Sequence, residues 1–181
     1  MSAPILFLGW GNPSRGDDAI GPLLCERLTH LLTRPDLSEL VGRIEVQQDF
    51  QLQIEDASDI ADRALVVFID ASVSSPAPFT FSVVQPEQDA SFTSHALSPQ
   101  AVVAVTCKIF GTTPLCYQMA VRGESFALGE GLSASAALHL EAAWQALREL
   151  AFAADAPVAA AALSQQCASF LLTVPATASS A

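Results

Sequence analysis

Short apolar runs alternate with longer segments of helical periodicity along most of the chain. Residues 5–8 and 64–69 are apolar at consecutive positions, which is typical of strands covered on both faces of a parallel sheet. Residues 43–47 and 79–84 alternate polar and apolar side chains, as strands with one exposed face do, and residues 115–121 continue the series. The pattern therefore predicts a sheet of about five strands.

Segments with helical spacing separate most of these strands. The apolar stripes and the cap residues predict helices over residues 19–32, 51–61, 99–110 and 133–150. A strand–helix–strand order indicates a three-layer α/β/α domain with a mostly parallel, twisted sheet. Because such crossovers are right-handed, we expect the ends of the first and third strands at the same edge of the sheet.

Composition and length fit one folded domain followed by a tail. The chain has 181 residues, of which 51% are hydrophobic, so it is neither disordered nor long enough for several domains. We place the domain at residues 1–150. After it the composition shifts to Ala, Ser, Pro, Thr and Gln, and we interpret residues 151–181 as a tail without catalytic residues. This tail is apolar enough for part of it to pack, and we expect a weak helix over 158–172.

Several classes of partner and compartment are excluded by the residues present. No apolar run reaches the ~18 to 20 residues of a membrane span, and the N-terminus lacks the basic start and apolar core of a signal peptide. A net charge of −11 with eight Lys and Arg argues against a nucleic-acid partner. The four cysteines form no C-x-x-C pair, which fits a reduced, cytoplasmic protein without a zinc knuckle.

The turn between the first strand and the first helix carries the most distinctive motif. Its glycines, at positions 9, 11 and 16, permit a tight turn, but their spacing matches neither the dinucleotide fingerprint nor the phosphate loop. Asp17 and Asp18 follow and would repel a phosphate, so we predict no organic cofactor. The structural alternative makes Asp17 an N-cap and Asp18 a first-turn acid that complements the helix dipole.

The predicted order of strands and helices places three side chains that could bind a metal at one edge of the sheet. Asp18 comes after the first strand, Asp70 ends the third, and His95 lies in a polar loop before the helix that Pro99 opens. Two carboxylates and an imidazole from one edge of a sheet suit a borderline divalent metal such as nickel or zinc. The alternative for His95 is a solvated or helix-capping histidine.

Four motifs in this order resemble those of the NiFe-hydrogenase maturation endopeptidases over about residues 4–150. They are G-x-G-N-x-x-x-G-D-D-A-x-G at 9–21, F-I-D-A at 68–71, S-H-A-L-S-P at 94–99, and G-E-S-F at 123–126 leading to G-E-G-L-S at 129–133. The third and fourth motifs are closer to the proteases that serve soluble cytoplasmic hydrogenases.

The resemblance implies a protease that removes a short C-terminal extension from a hydrogenase large-subunit precursor after nickel insertion. It also implies that Asp18, Asp70 and His95 form the metal-recognising site, and that the nickel is carried by the substrate. The family commonly has Glu at the position of Asp18, although Asp also occurs, so we expect the metal closer to the first helix. Asp17 is then the carboxylate available for proton transfer.

Two other functions remain open from the residues alone. A non-proteolytic metal-binding chaperone would dock a metalloenzyme precursor with the same three ligands and leave it intact. A small-molecule α/β enzyme would need a deep, enclosed pocket at the glycine-rich turn. A serine or cysteine protease is the weaker proposal, because the chain has no G-x-S-x-G motif and no evident partner for its cysteines.

Overall fold

The structure is a computed structural model that describes residues 3–87, 97–153 and 155–173. In chain order the strands and helices are β1 (Ile5–Trp10), α1 (Ile20–Leu32), β2 (Ile44–Asp49), α2 (Asp56–Ile60), β3 (Leu65–Ser72), β4 (Phe79–Val83), α3 (Pro99–Phe110), β5 (Leu115–Arg122), α4 (Ala134–Ala151) and α5 (Ala156–Thr173). Short 3-10 helices span Gly16–Ala19 and Pro35–Leu40. No helix among the described residues is long and apolar enough to cross a membrane.

The five strands form one sheet in the order β2-β1-β3-β5-β4. All neighbouring pairs are parallel except β4 and β5, which run antiparallel. Helices cover both faces, so the predicted three-layer α/β/α fold with a mostly parallel sheet is confirmed. β1 and β3 are direct neighbours, with Gly9 opposite Ile69, and their carboxyl ends therefore lie side by side.

Alternate residues of the central strands enter two separate cores. Ile5 and Phe7 pack with residues of α1, α4 and α5, whereas Leu6, Leu8 and Phe68 pack with residues of α2 and α3. Because successive side chains of a strand point to opposite faces, the residue two positions after Phe68 lies on the α2 and α3 face. That residue is Asp70.

Local cap chemistry sets the ends of two helices as the sequence predicts. The Ser98 hydroxyl accepts the N–H of Ala101 at the start of α3, and Gly111 ends that helix with φ of +69°. The Ser133 hydroxyl accepts the N–H of Ala136 at the start of α4.

α2 is shorter than predicted, because it covers only five residues of the expected 51–61. Side-chain oxygens bind the backbone that would have continued the helix: Asp56 accepts the N–H of Gln53, and Asp49 accepts the N–H of Phe50. Aspartate oxygens compete with helical hydrogen bonds in this way. The prediction for residues 51–55 was wrong for this reason.

The C-terminal segment contributes to the main core. α5 covers the predicted 158–172 helix and begins slightly earlier, and its Ala159 and Leu163 are buried in the same cluster as Ile5 and Phe7. The Tyr117 hydroxyl of β5 lies 2.7 Å from the Ser164 hydroxyl. Residues 156–163 therefore do not form a separate tail, whereas the expectation that no catalytic residue lies beyond residue 150 stays a prediction.

Replacing Leu163 with Ala is expected to lower the free energy of unfolding by roughly 2 to 5 kcal/mol, because this side chain is 0% exposed and its loss leaves a cavity. Urea unfolding followed by circular dichroism measures the change. Val158→Ala is the control, since Val158 lies on the same helix and is 49% exposed. Equal effects of the two variants would show that α5 does not belong to the core.

Candidate metal-recognition site

Asp18 lies in the 3-10 helix that follows the turn after β1. Its Oδ2 accepts the backbone N–H of Asn12 at 2.9 Å, and the residue is half-buried. The turn closes tightly on this helix, because Gly11 has φ of +141° and a Cβ there would collide with the carbonyl oxygen of Asp18. Only glycine fits that position, so the turn and the acid form one local unit.

Asp70 lies near the carboxyl end of β3 and is close enough to Asp18 to be affected by its charge. Burial raises the pKa of Asp70 to about 7; the backbone N–H of Ala71 opposes this shift, and the negative charge of Asp18 adds to it. The structure therefore brings these two predicted site residues together at the carboxyl edge of the sheet.

The third predicted ligand, His95, lies outside the described residues. Leu97 packs against the same core as Phe68 and Trp10, so the start of α3 is fixed on the face of the sheet to which Asp70 belongs. Within the described residues no group of three or more His, Cys, Asp or Glu is arranged to hold a metal ion. The joint site of Asp18, Asp70 and His95 stays a prediction.

Asp17 has a different environment from its neighbour Asp18. It is 0% exposed, and its carboxylate accepts four hydrogen bonds of 2.7 to 2.9 Å, from the backbone N–H groups of Glu124, Ser125 and Ser133 and from the Ser133 hydroxyl. Burial raises the pKa of Asp17, but these bonds together outweigh it and hold the pKa below its usual value. Oδ2 accepts three of these bonds and Oδ1 accepts one, so both oxygens of the carboxylate are engaged.

These contacts favour an anchoring role for Asp17. It caps neither the 3-10 helix, whose N-cap is Arg15, nor α1, whose N-cap is Ala19, so the structural alternative of an N-cap for Asp17 was wrong. Proton transfer by Asp17 stays a prediction, although a carboxylate engaged in this way is poorly placed for it. The partners of Asp17 were missed because they are mostly backbone N–H groups, which the sequence does not distinguish.

The loop of residues 123–133 packs directly on the 3-10 helix. The N–H of Asp17 donates to the Ser125 carbonyl at 2.8 Å, and the N–H of Gly16 donates to the Glu130 carbonyl at 3.1 Å. Gly16 has φ of +56°, and a Cβ there would approach the Ser125 oxygen to 2.5 Å. The glycines of the two motifs therefore permit a close contact between segments that are far apart in sequence.

Buried thiols do not supply an alternative nucleophile. Burial raises the pKa of both Cys25 and Cys116 to about 12, so both are protonated near neutral pH and behave as small core side chains. This agrees with the low rank given to a cysteine protease.

Two cavities lie near the first helix of the described structure. A cleft of about 280 Å³ lies beside the turn, lined in part by Gly11, Pro13 and Phe50, and Phe50 is 66% exposed. A larger cavity of about 650 Å³ lies between α1 and α4, lined in part by Arg27 and Trp144, and contains none of the predicted site residues. Neither of these two cavities is lined by Asp18 or Asp70, so neither is a deep, enclosed pocket at the two acids.

Comparisons with known proteins give a match at the level of structure. No family model matches the chain, and no curated protein matches its sequence. The chain is similar to the NiFe-hydrogenase maturation protease HycI of Thermococcus kodakarensis, with 25% identity, a TM-score of 0.59, and coverage of 81% of this chain and 91% of that one.

Two proteins of Escherichia coli are similar to the same extent. The hydrogenase maturating endopeptidase HybD shares 27% identity with a TM-score of 0.58, over 82% of this chain and 93% of its own. The solution structure of an endopeptidase shares 25% identity with a TM-score of 0.58, over 81% of this chain and 90% of its own.

Replacing Asp17 with Asn is expected to lower the free energy of unfolding by about 2 to 4 kcal/mol, because an amide NH₂ would face N–H donors in a buried site. Urea unfolding measures this. Asp36→Asn is the control, since Asp36 pairs with Arg34 on the exposed surface and is expected to change little. A stable Asp17→Asn protein would show that the anchor contributes little.

The lowered pKa of Asp17 also predicts that the stability of the protein depends on pH. Because the pKa of Asp17 is lower in the folded state, its contribution is fully present above the unfolded value of about 4 and is lost as the pH falls through the folded value. The difference in melting temperature between wild type and Asp17→Asn should be constant from pH 7 to 5 and narrow below pH 4. A difference that widens in acid would contradict this sign.

Proposed function

This chain belongs to the hydrogenase maturation endopeptidase family, and we propose that it removes the C-terminal extension from a NiFe-hydrogenase large-subunit precursor after nickel insertion. It is a protease with a role in maturation. We also propose that its substrate is the nickel-loaded precursor and that it acts in the cytoplasm. The closer relation to the proteases of soluble cytoplasmic hydrogenases is a further part of this proposal.

The observation that supports nickel recognition is the pair of acids at the carboxyl edge. Asp18 is held by the Asn12 N–H, and Asp70 is partly buried beside it. Together with His95, they would offer two carboxylates and an imidazole to a metal that the precursor already holds. This donor set suits nickel, and the metal belongs to the substrate, so we propose no resident metal or organic cofactor.

The electrostatics of the two acids supply a reason for the site to distinguish loaded from unloaded precursor. Two carboxylates in a partly buried site repel each other. Burial is the main cause of the raised pKa of Asp70, and the negative charge of Asp18 adds to it. A divalent cation carried into the site would neutralise both charges. Nickel-free precursor brings no such charge, and its binding leaves the repulsion in place.

Hydrolysis then depends on how the precursor is held. Nickel carried by the substrate can polarise the scissile carbonyl and hold it at the carboxyl edge of the sheet. Asp18 and Asp70 orient that nickel, while the exposed cleft beside the turn leaves room for an extended peptide. Either Asp17 or a water activated by the nickel would complete proton transfer, and the buried position of Asp17 favours the water.

The test is incubation of the purified chain with nickel-loaded and nickel-free precursor, read by intact mass. We expect shortening only of the loaded precursor. Complex formation without a change in mass would move the chain to the alternative, a non-proteolytic chaperone. Shortening of both precursors would show that nickel recognition is wrong while proteolysis stands.

Asp70→Ala and His95→Ala are each expected to lower cleavage at least about 100-fold, as loss of a group that orients the reacting centre does. Both should keep the wild-type circular dichroism spectrum, because Asp70 belongs to neither core and the sequence predicts His95 in a polar loop. Asp62→Ala is the matched control, an exposed acid just before β3 at the opposite edge, and should cleave normally. Full activity of Asp70→Ala would remove it from the site.

A further inference from the structure

The 3-10 helix that carries Asp18 has four residues, Gly16–Ala19, and continues directly into α1 at Ile20. α1 therefore fixes its C-terminal end. Such a short helix forms few internal hydrogen bonds, so the contacts of Gly16 and Asp17 with the loop of residues 123–133 fix its other end and thereby the position of the Asp18 carboxylate. The shortest of these contacts are those of the preceding residue, Asp17.

Asp17 connects this helix to the strand beside Asp70. Its carboxylate accepts the N–H groups of Glu124 and Ser125 at 2.7 and 2.9 Å, directly after β5 ends. β5 pairs with β3, with Ala120 opposite Asp70. Asp18 is thus connected to Asp70 through the carboxylate of its neighbour Asp17, which binds the backbone after β5, and through the pairing of β5 with β3.

The same carboxylate also reaches the start of α4. Its Oδ1 accepts the N–H of Ser133 at 2.7 Å, and its Oδ2 accepts the Ser133 hydroxyl at 2.8 Å. The loop of residues 123–133 is therefore fastened at both ends to Asp17. The N–H of Gly123 in turn donates to the Ser72 carbonyl at the end of β3, at 3.1 Å.

We propose that Asp17 is a positioning residue, whose buried carboxylate fixes the separation and orientation of Asp18 relative to Asp70 through the loop of residues 123–133. This inference rests on the proposed function, because it concerns the alignment of the precursor at those two acids. Misplacement of an orienting group by about 1 Å can reduce a rate about 100-fold. The docking of the large precursor outside the site does not depend on Asp17.

The test compares Asp17→Asn with wild type in cleavage of the nickel-loaded precursor, with rates expressed per folded molecule. We expect kcat to fall at least about tenfold while KM for the precursor changes less than about threefold. Asp56→Asn is the matched control, since Asp56 is also a buried acid that accepts a backbone N–H, from Gln53. It should lower the melting temperature and leave kcat unchanged.

Gly16→Ala provides a second variant in case Asp17→Asn does not fold. Its Cβ would press on the Ser125 carbonyl and shift the loop while Asp17 is retained, so kcat should fall in the same way. Unchanged kcat in a folded Asp17→Asn, or in Gly16→Ala where the first does not fold, overturns the positioning role while the proposed function stands. A wild-type protein that leaves the loaded precursor intact overturns both.

Discussion

The parallel pairing of β1 with β3 is the constraint on which the site depends. Gly9 lies opposite Ile69, so the chain leaves both strands at the same edge and on adjacent paths. Asp70 is one residue beyond that pair, and the glycine-rich turn after β1 returns the chain so that Asp18 comes near it. Two acids that are distant in sequence become electrostatic neighbours because of the strand order and the path of this turn.

Two neighbouring carboxylates repel each other, and the contacts around Asp18 and Asp70 keep them close in spite of this repulsion. Burial and the charge of Asp18 both raise the pKa of Asp70. A flexible turn would relieve the repulsion by moving Asp18 away. The turn is instead held by the Asn12 N–H, by the tight fit of Gly11, and by the buried Asp17. Rigidity at this edge preserves a site that a divalent cation would stabilise.

Features that depend on nearby residues could be predicted from the sequence, and those that depend on distant contacts could not. Strand periodicity, the start of α3 at Pro99, the cap of α4 at Ser133, and the meeting of Asp18 with Asp70 all follow from local pattern and parallel topology. The partners of Asp17 lie more than 100 residues away and are mostly backbone groups. The packing of α5 could be predicted only in outline, because its apolar composition allows part of the segment to pack but its small side chains do not specify the partners.

The two adjacent aspartates show how position rather than residue type assigns a role. Successive side chains of a 3-10 helix point about 120° apart, so one faces the loop of residues 123–133 and the other faces the edge. Asp17 uses both oxygens in buried hydrogen bonds. Asp18 uses Oδ2 for Asn12, and among the described residues no donor binds its Oδ1. A metal ligand needs a free oxygen, and a structural anchor needs none. Asp18 therefore meets a requirement of the proposed ligand role, and Asp17 has the contacts of an anchor.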